Sequence, residues 1–213
     1  MAIEAVIFDF GGVILTSPFE AFARYERERG LPDGFIRAVN ATDPDTNAWA
    51  RLERSEVDLA GFAELFEAEA LAAGHPVDGA AVLGLLAGDL RPEMVEALRR
   101  CHEKLRTAML TNNFVAVGDR TGDGAGPSGA MAEVLHHFDV IVESSRAGVR
   151  KPDPAIYELV CRELDVRPEA AVFLDDLGVN LKPARAMGMT TIKVTDPGEA
   201  IDELERVVGF ALR

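Results

Sequence analysis

Lysine is scarce in this chain. Its 213 residues hold only Lys104, Lys151, Lys182 and Lys193, and 22 lysines and arginines face 36 aspartates and glutamates, a formal net charge of −14. Binding a nucleic-acid backbone needs clustered cations, so this balance argues against a nucleic-acid partner. It leaves room for a small anion in one locally positive pocket, and scarcity makes any lysine there easy to single out. Cysteine is scarcer still. Cys101 and Cys161 lie in helix-like stretches, too far apart for a zinc site or a disulfide framework, and are expected as buried thiols. No apolar run reaches the roughly 18 residues that suggest a bilayer-crossing helix. The N-terminus also lacks a basic region followed by a long apolar core. The chain is therefore expected to be soluble and cytoplasmic, with no membrane partner. Low complexity is confined to Gly118–Gly129, "GDRTGDGAGPSG". Its glycine spacing invites a phosphate-loop assignment, but no strand leads directly into it and Pro127 interrupts it, so composition favours a surface loop. His75, His102, His136 and His137 show no ligand or triad spacing and receive no role.

What is present is a rhythm. Hydrophobic residues make up 48% of the chain, and short apolar or β-branched runs recur between longer helical patterns. Residues 4–8, 107–111, 139–143, 171–175 and 190–194 read as strands, with helices near 92–105, 130–137, 154–164, 179–187 and 198–208. Arg91-Pro92-Glu93 and Lys151-Pro152-Asp153-Pro154 carry helix-start signals. Strand–helix alternation predicts an α/β fold, a parallel sheet with helices on both faces. Residues 16–90 break the rhythm. They read as several helices, "FEAFARYERERG", "DTNAWARLER", "LAGFAELFEAEALAAG" and "GAAVLGLLAG", without a convincing strand. The expected organisation is a Rossmann-like core of residues 1–15 and 91–213 and a helical cap of residues 16–90, inserted after the first strand and over its carboxyl end.

Chemistry collects at the strand ends. The first strand runs through "AVIFDFGGVILTSP" into Asp9, then Gly11 and Gly12; the second ends in Thr111-Asn112-Asn113; the fourth ends in Asp175-Asp176. Arg150-Lys151-Pro152 follows the third. In a parallel sheet these ends point one way and can converge on a crevice. Each group alone has an ordinary explanation: a strand-end aspartate as a helix cap, Thr-Asn-Asn as a turn, Lys-Pro as a helix entry. Adjacent carboxylates such as Asp175-Asp176 repel, and gain from a shared cation. Taken together and in this order, the four groups point to a site.

The motifs "VIFDFGGV", "MLTNN", "RKPDPAIY" and "VFLDDLGVNLKPARAMGM" resemble those of the haloacid dehalogenase-like hydrolases, a superfamily made up mostly of Mg²⁺-dependent phosphatases. The last motif especially resembles the N-terminal phosphatase domain of soluble epoxide hydrolase, and also the related domain in certain multidomain acyl-CoA dehydrogenases. The resemblance implies that Asp9 is a nucleophile that attacks phosphorus and forms an aspartyl-phosphate. It implies a Mg²⁺ held by Asp9, the Gly11 carbonyl and Asp176, with Asp175 nearby through water. Thr111, the Asn112 backbone N–H and Gly12 would contact the phosphate of a small phosphorylated substrate. Lys151 would neutralise the charge shared by Asp9 and that phosphate, and Asn180 would orient the loop. The family's phosphatases usually place a second aspartate two residues after the nucleophile, as acid and then base. Here that position is Gly11. Substrates with good leaving groups (sugar-1-phosphates, acyl or aryl phosphates) would suffer least from its absence.

Other assignments stay open beside this one. A catalytically weakened binding or regulatory module would keep the fold and metal site without turnover. A haloacid dehalogenase would use the aspartate without metal, against the repulsion of Asp175-Asp176. Phosphonoacetaldehyde-type hydrolysis needs a cap lysine, and residues 16–90 contain none. In the cap, Asn47, Trp49 and Arg51 are either substrate contacts or, as the spacing of Trp49 and Leu52 suggests, part of a helix with one buried face.

Overall fold

The computed structural model describes residues 2–86, 88–112 and 129–213. Most of the low-complexity run, and Asn113, lie outside these residues. The chain divides into two units, Met1–Thr16 with Leu90–Arg213, and Ser17–Asp89.

The first unit is built on five strands: β1 (Ala5–Phe8), β2 (Arg106–Thr111), β3 (Val140–Glu143), β4 (Ala171–Asp175) and β5 (Thr190–Lys193). All pairings are parallel, in the order β3-β2-β1-β4-β5. β1 lies at the centre, with Phe8 opposite Met109 on one side and Leu174 on the other. Both sheet faces are covered, which is why the strands are almost continuously apolar. Side-chain alternation sends Val6 and Phe8 to one face, with Met94, Leu98, Ile201 and Leu204. These come from the helices α6 (Pro92–His102) and α11 (Pro197–Val208), numbered in chain order after the five of the second unit. Ala5 and Ile7 face the other side, with Ile156, Tyr157, Val160 and Leu181. There the helices are α9 (Pro154–Leu164) and α10 (Gly178–Ala186). The remaining helices, α7 (Gly129–His136) and the single turn α8 (Ser144–Ala147), flank β3 in sequence. Cys101 and Cys161 are buried free thiols, and burial pushes them up to about 12 and about 11, respectively.

The second unit comprises α1 (Pro18–Arg29), α2 (Phe35–Ala41), α3 (Ala48–Glu53), α4 (Leu59–Ala72) and α5 (Gly79–Gly84). Its described residues contain no strand. Trp49 packs edge-on against Phe62, 4.7 Å between ring centroids, and Leu52 is buried. Asn47 spends its side chain on structure: Oδ1 accepts from Ala50 N–H at 2.9 Å, while Nδ2 donates to the Asn40 and Thr42 carbonyls. Of the two roles open to Asn47 and Trp49, structure is the one observed. The helix α2 is not expected from sequence.

Candidate active site

The sheet order creates the crevice. From β1 the chain winds outward through β2 and β3, then returns to place β4 on the other side of β1. Where winding reverses, the loops after β1 and β4 diverge and leave a gap at the strands' carboxyl ends. Asp9 and Asp175 flank that gap.

Asp9 is the first residue past β1. Its N–H donates to the Leu174 carbonyl at 2.9 Å, carrying the β1–β4 pairing one residue beyond the end of β1. Its carboxylate Oδ1 accepts from Phe10 N–H at 2.6 Å and from Lys151 Nζ at 2.9 Å. Phe10–Ile14 then makes one wide turn, closed by Leu15 N–H on the Phe10 carbonyl at 2.8 Å. Within it Gly12 takes φ 80°, and a Cβ there would lie 2.4 Å from Asp176 Oδ2. A side chain at position 12 would occupy the space Asp176 fills.

Lys151 is 1% exposed, on the loop between α8 and α9. Its Nζ lies 2.9 Å from Asp9 Oδ1 and 2.7 Å from Asp175 Oδ2. Its main chain is held too: Lys151 N–H donates to Asn112 Oδ1 at 2.8 Å, and Asn112 Nδ2 donates to the Lys151 carbonyl at 2.9 Å. Asp175, the last residue of β4, is fully buried and rich in donors. Besides Lys151 it accepts from Leu177 N–H at 2.8 Å and from Asn180 Nδ2 at 3.0 and 3.1 Å. Asn180 in turn accepts on its carbonyl from the Tyr157 hydroxyl at 2.7 Å. Thr111, buried at the end of β2, occupies the strand beside β1.

The Lys151 ammonium touches the carboxylates of Asp9 and Asp175, and Asp176 lies in the same cluster. Asp9, Asp175 and Asp176 each bring an oxygen to within 4.8 Å of the others. Burial pushes the Asp9 carboxyl well above the usual carboxylate range. Lys151 opposes this, while the anions of Asp175 and Asp176 add to it. Burial also works against the Lys151 ammonium, but Asp175 and Asp9 outweigh it and hold its pKa above the ordinary lysine value. Burial, with Asp175 and Asp9 behind it, keeps the Tyr157 hydroxyl protonated and so a donor. A bound cation among the three carboxylates would relieve their mutual repulsion, which burial makes costly at Asp9. An all-oxygen donor set and the side-chain-free cradle at Gly12 fit a small, hard divalent ion.

The structure brings Asp9, Gly12, Lys151, Asp175, Asp176 and Asn180 together around this gap, with Asn112 bound to Lys151. Gly11, two residues after Asp9, has an ordinary extended conformation, φ −71° and ψ 129°. Sequence reasoning missed the Asn112 side chain and Tyr157. Tyr157 stands in "RKPDPAIY", where it reads as one more apolar-face residue of α9. Among the described residues no helix is long and apolar enough to cross a membrane.

The haloacid dehalogenase-like hydrolase family model matches residues 3–188. The chain is 37% identical to acyl-CoA dehydrogenase family member 10 of Mus musculus, over 98% of this chain and 19% of that protein. It is 33% identical to bifunctional epoxide hydrolase 2 of Sus scrofa, over 100% of this chain and 40% of that protein. It thus spans less than half the length of these two relatives. Phosphatase MT3486 of Mycobacterium tuberculosis is 29% identical and matches over 97% of this chain and 94% of its own. Among solved structures, a HAD-family enzyme from Bacteroides thetaiotaomicron in a magnesium complex has TM-score 0.64 at 19% identity, covering 97% of this chain and 100% of its own. A dehalogenase with an intermediate complex has TM-score 0.65 at 19% identity, covering 97% of each chain. Likeness at this identity is a likeness of fold.

Proposed function

Because this chain belongs to the haloacid dehalogenase-like hydrolases, we propose that it is a magnesium-dependent phosphatase that passes a phosphoryl group from a small phosphorylated metabolite through Asp9 to water. One observation carries the proposal: a buried Lys151 ammonium shared at 2.9 and 2.7 Å between Asp9 and Asp175, within a cluster of three carboxylates. Phosphatase MT3486, similar along nearly its whole length, supports the reaction class.

Asp9, Asp176 and the Gly11 carbonyl are the groups assigned to hold magnesium, with Asp175 beside them. When bound, the ion offsets the repulsion between phosphate and carboxylates and polarises the phosphoryl oxygens. Asp9 attacks phosphorus in line; the phosphorus–oxygen bond to the leaving group breaks, and its electron pair departs with that oxygen. Water then attacks phosphorus, the bond to Asp9 breaks, and the carboxylate and inorganic phosphate are restored. Phe10 N–H and Lys151 on Oδ1 keep the Asp9 carboxylate in one orientation. Lys151 also balances charge as it builds on the phosphoryl oxygens. Thr111 hydroxyl, Asn112 N–H and the Gly12 main chain are assigned to the phosphate. Asp175 is so occupied by Lys151, Asn180 and Leu177 that its first task is to anchor Lys151. The helical unit, inserted after the nucleophile's strand, is assigned to substrate selection.

Gly11 has no proton to give. Positioned acid–base catalysis contributes about 10²–10⁴-fold, so leaving groups that depart as stable anions fit this site best: acyl, aryl and sugar-1-phosphates. Gly11 also favours a second reading, a fold-preserving binding module without turnover. A dehalogenase is disfavoured, since the paired carboxylates Asp175 and Asp176 beside Asp9 would repel both halide and substrate carboxylate.

Phosphate release from p-nitrophenyl phosphate, with magnesium and with EDTA, decides between enzyme and module. The wild type should release phosphate only with magnesium, and Asp9→Asn should fall to background while remaining folded. Equal release by wild type and Asp9→Asn would hand the site to the binding module.

A further inference from the structure

We infer that the Asn112 side chain is a positioning group that fixes Lys151, a role separate from the main-chain phosphate contact assigned above; its relevance to turnover rests on that reading of Lys151. The Asn112 amide holds both main-chain polar groups of Lys151, accepting from Lys151 N–H at 2.8 Å and donating to its carbonyl at 2.9 Å. This is the two-bond exchange that opposed residues make in an antiparallel ladder, with a side chain standing in for one strand. The reversed amide would set N–H against N–H and oxygen against oxygen, so the orientation is chemically determined. Asparagine is the short side chain with one donor and one acceptor at this reach. Aspartate would turn an oxygen on the Lys151 carbonyl, and serine has a single, shorter-reaching oxygen in place of two separate polar atoms. Arg150 Nε also reaches that carbonyl at 3.3 Å, a longer contact that leaves Lys151 N–H unserved.

The clamp matters because lysine is a flexible four-carbon stem ending in a point charge. Nζ can lie 2.9 Å from Asp9 and 2.7 Å from Asp175 only while its Cα stays in place. Asn112 directly follows Thr111 at the end of β2. One residue therefore sets the ammonium and a peptide N–H in a common frame before any substrate arrives.

Reductive methylation of the full-length folded protein, read lysine by lysine by peptide mass spectrometry, tests this without depending on turnover. Lys104, Lys182 and Lys193 are exposed and act as internal standards, whereas Lys151 is buried. In Asn112→Ala, Lys151 methylation should rise about tenfold or more, the factor expected for two lost hydrogen bonds of ordinary net worth. The three standards should not change. For p-nitrophenyl phosphate, kcat should fall by up to about 10²-fold, the scale for misplacement by about an ångström, with KM changing far less. Asn112→Asp, matched in size, should reproduce both effects even if Asn112→Ala does not fold. Lys151 protection unchanged in the folded variants, or a loss lying wholly in KM, overturns the inference. If the wild type has no phosphatase activity but Lys151 is released on substitution, the clamp stands and the phosphatase reading falls.

Discussion

Gly11 and Gly12 are adjacent and identical, yet the structure needs only one of them to be glycine. Gly12 has φ 80°, where a side chain is strained, and a Cβ would lie 2.4 Å from Asp176 Oδ2 and 2.5 Å from its Cγ. At Gly11 the backbone suits any residue, and a Cβ meets no described atom within 4 Å. The backbone therefore selects Gly12, while the identity of residue 11 is a matter of chemistry. Gly12→Ala should drive Asp176 out of the cluster, weaken magnesium binding at least about tenfold, and add left-handed strain of about 1–2 kcal/mol. Gly11→Asp should keep the fold and the metal site, and should speed alkyl phosphates more than aryl ones by restoring a proton donor. Calorimetric magnesium titration and paired substrate rates measure both. Equal acceleration of the two substrate classes would refute the missing-acid account, and undiminished magnesium affinity in Gly12→Ala would remove Asp176 from the ligands.

Among elements, α2 shows how a helix can be specified from a distance. It begins at Phe35 after Gly34 in a left-handed conformation, φ 75°, and no side chain within its own N-terminal turn caps it. The cap is Glu26 of α1, 2% exposed, whose two carboxylate oxygens accept from Gly34 N–H and Ile36 N–H, each at 2.8 Å. Removing a buried acceptor that serves two backbone donors costs about 1–3 kcal/mol, whereas an exposed surface change costs at most about 0.5. Urea unfolding should therefore show Glu26→Ala well below wild type and Glu26→Gln, which keeps one acceptor, in between. Glu28→Ala, on the exposed face of α1, should be near neutral; matching losses at 26 and 28 would sink the long-range cap. The same distance explains what the sequence reveals. All five strands are legible to within a residue, because β-branched and apolar runs bounded by turns are local signals. The strand-end groups Asp9, Thr111, Lys151 and Asp175 are legible for the same reason: parallel strands send their ends one way. The helix α2 is not, since its cap lies eight residues before Gly34. The clamp of Asn112 on Lys151 spans 39 residues, and Tyr157 reaches Asn180 across 23. No periodicity records such pairings. The turn α8 is missed for a simpler reason, being four residues long.

At the scale of the whole molecule, the helical unit is an insertion whose two crossings are tied within the first unit. Leu15 and Leu90 form an antiparallel bridge, Arg91 N–H donates to the Ile14 carbonyl at 2.9 Å, and Arg91 Nε donates to the Leu15 carbonyl at 3.2 Å. The chain thus leaves and re-enters at one point, as the two arms of a hairpin do. Loop-closure entropy rises by only about 0.6 kcal/mol for each doubling of loop length, so a large insertion at such a point burdens the sheet little. The bridged ends are also close enough for a loop of about 2–5 residues. Replacing Ser17–Asp89 with a short Gly-Ser turn should therefore give a chain that folds cooperatively, because the two apolar layers of the sheet belong entirely to the first unit. Magnesium should still raise its Tm, since Asp9, Asp175 and Asp176 all remain. Its hydrolysis of p-nitrophenyl phosphate should survive better than its discrimination among phosphorylated metabolites, which the proposal assigns to the removed helices. Far-UV circular dichroism, thermal unfolding with and without magnesium, and a small substrate panel check these outcomes. A shortened chain without a cooperative transition would show that the sheet unit needs the insertion to fold. A folded chain with undiminished selectivity would move substrate choice to the strand ends themselves.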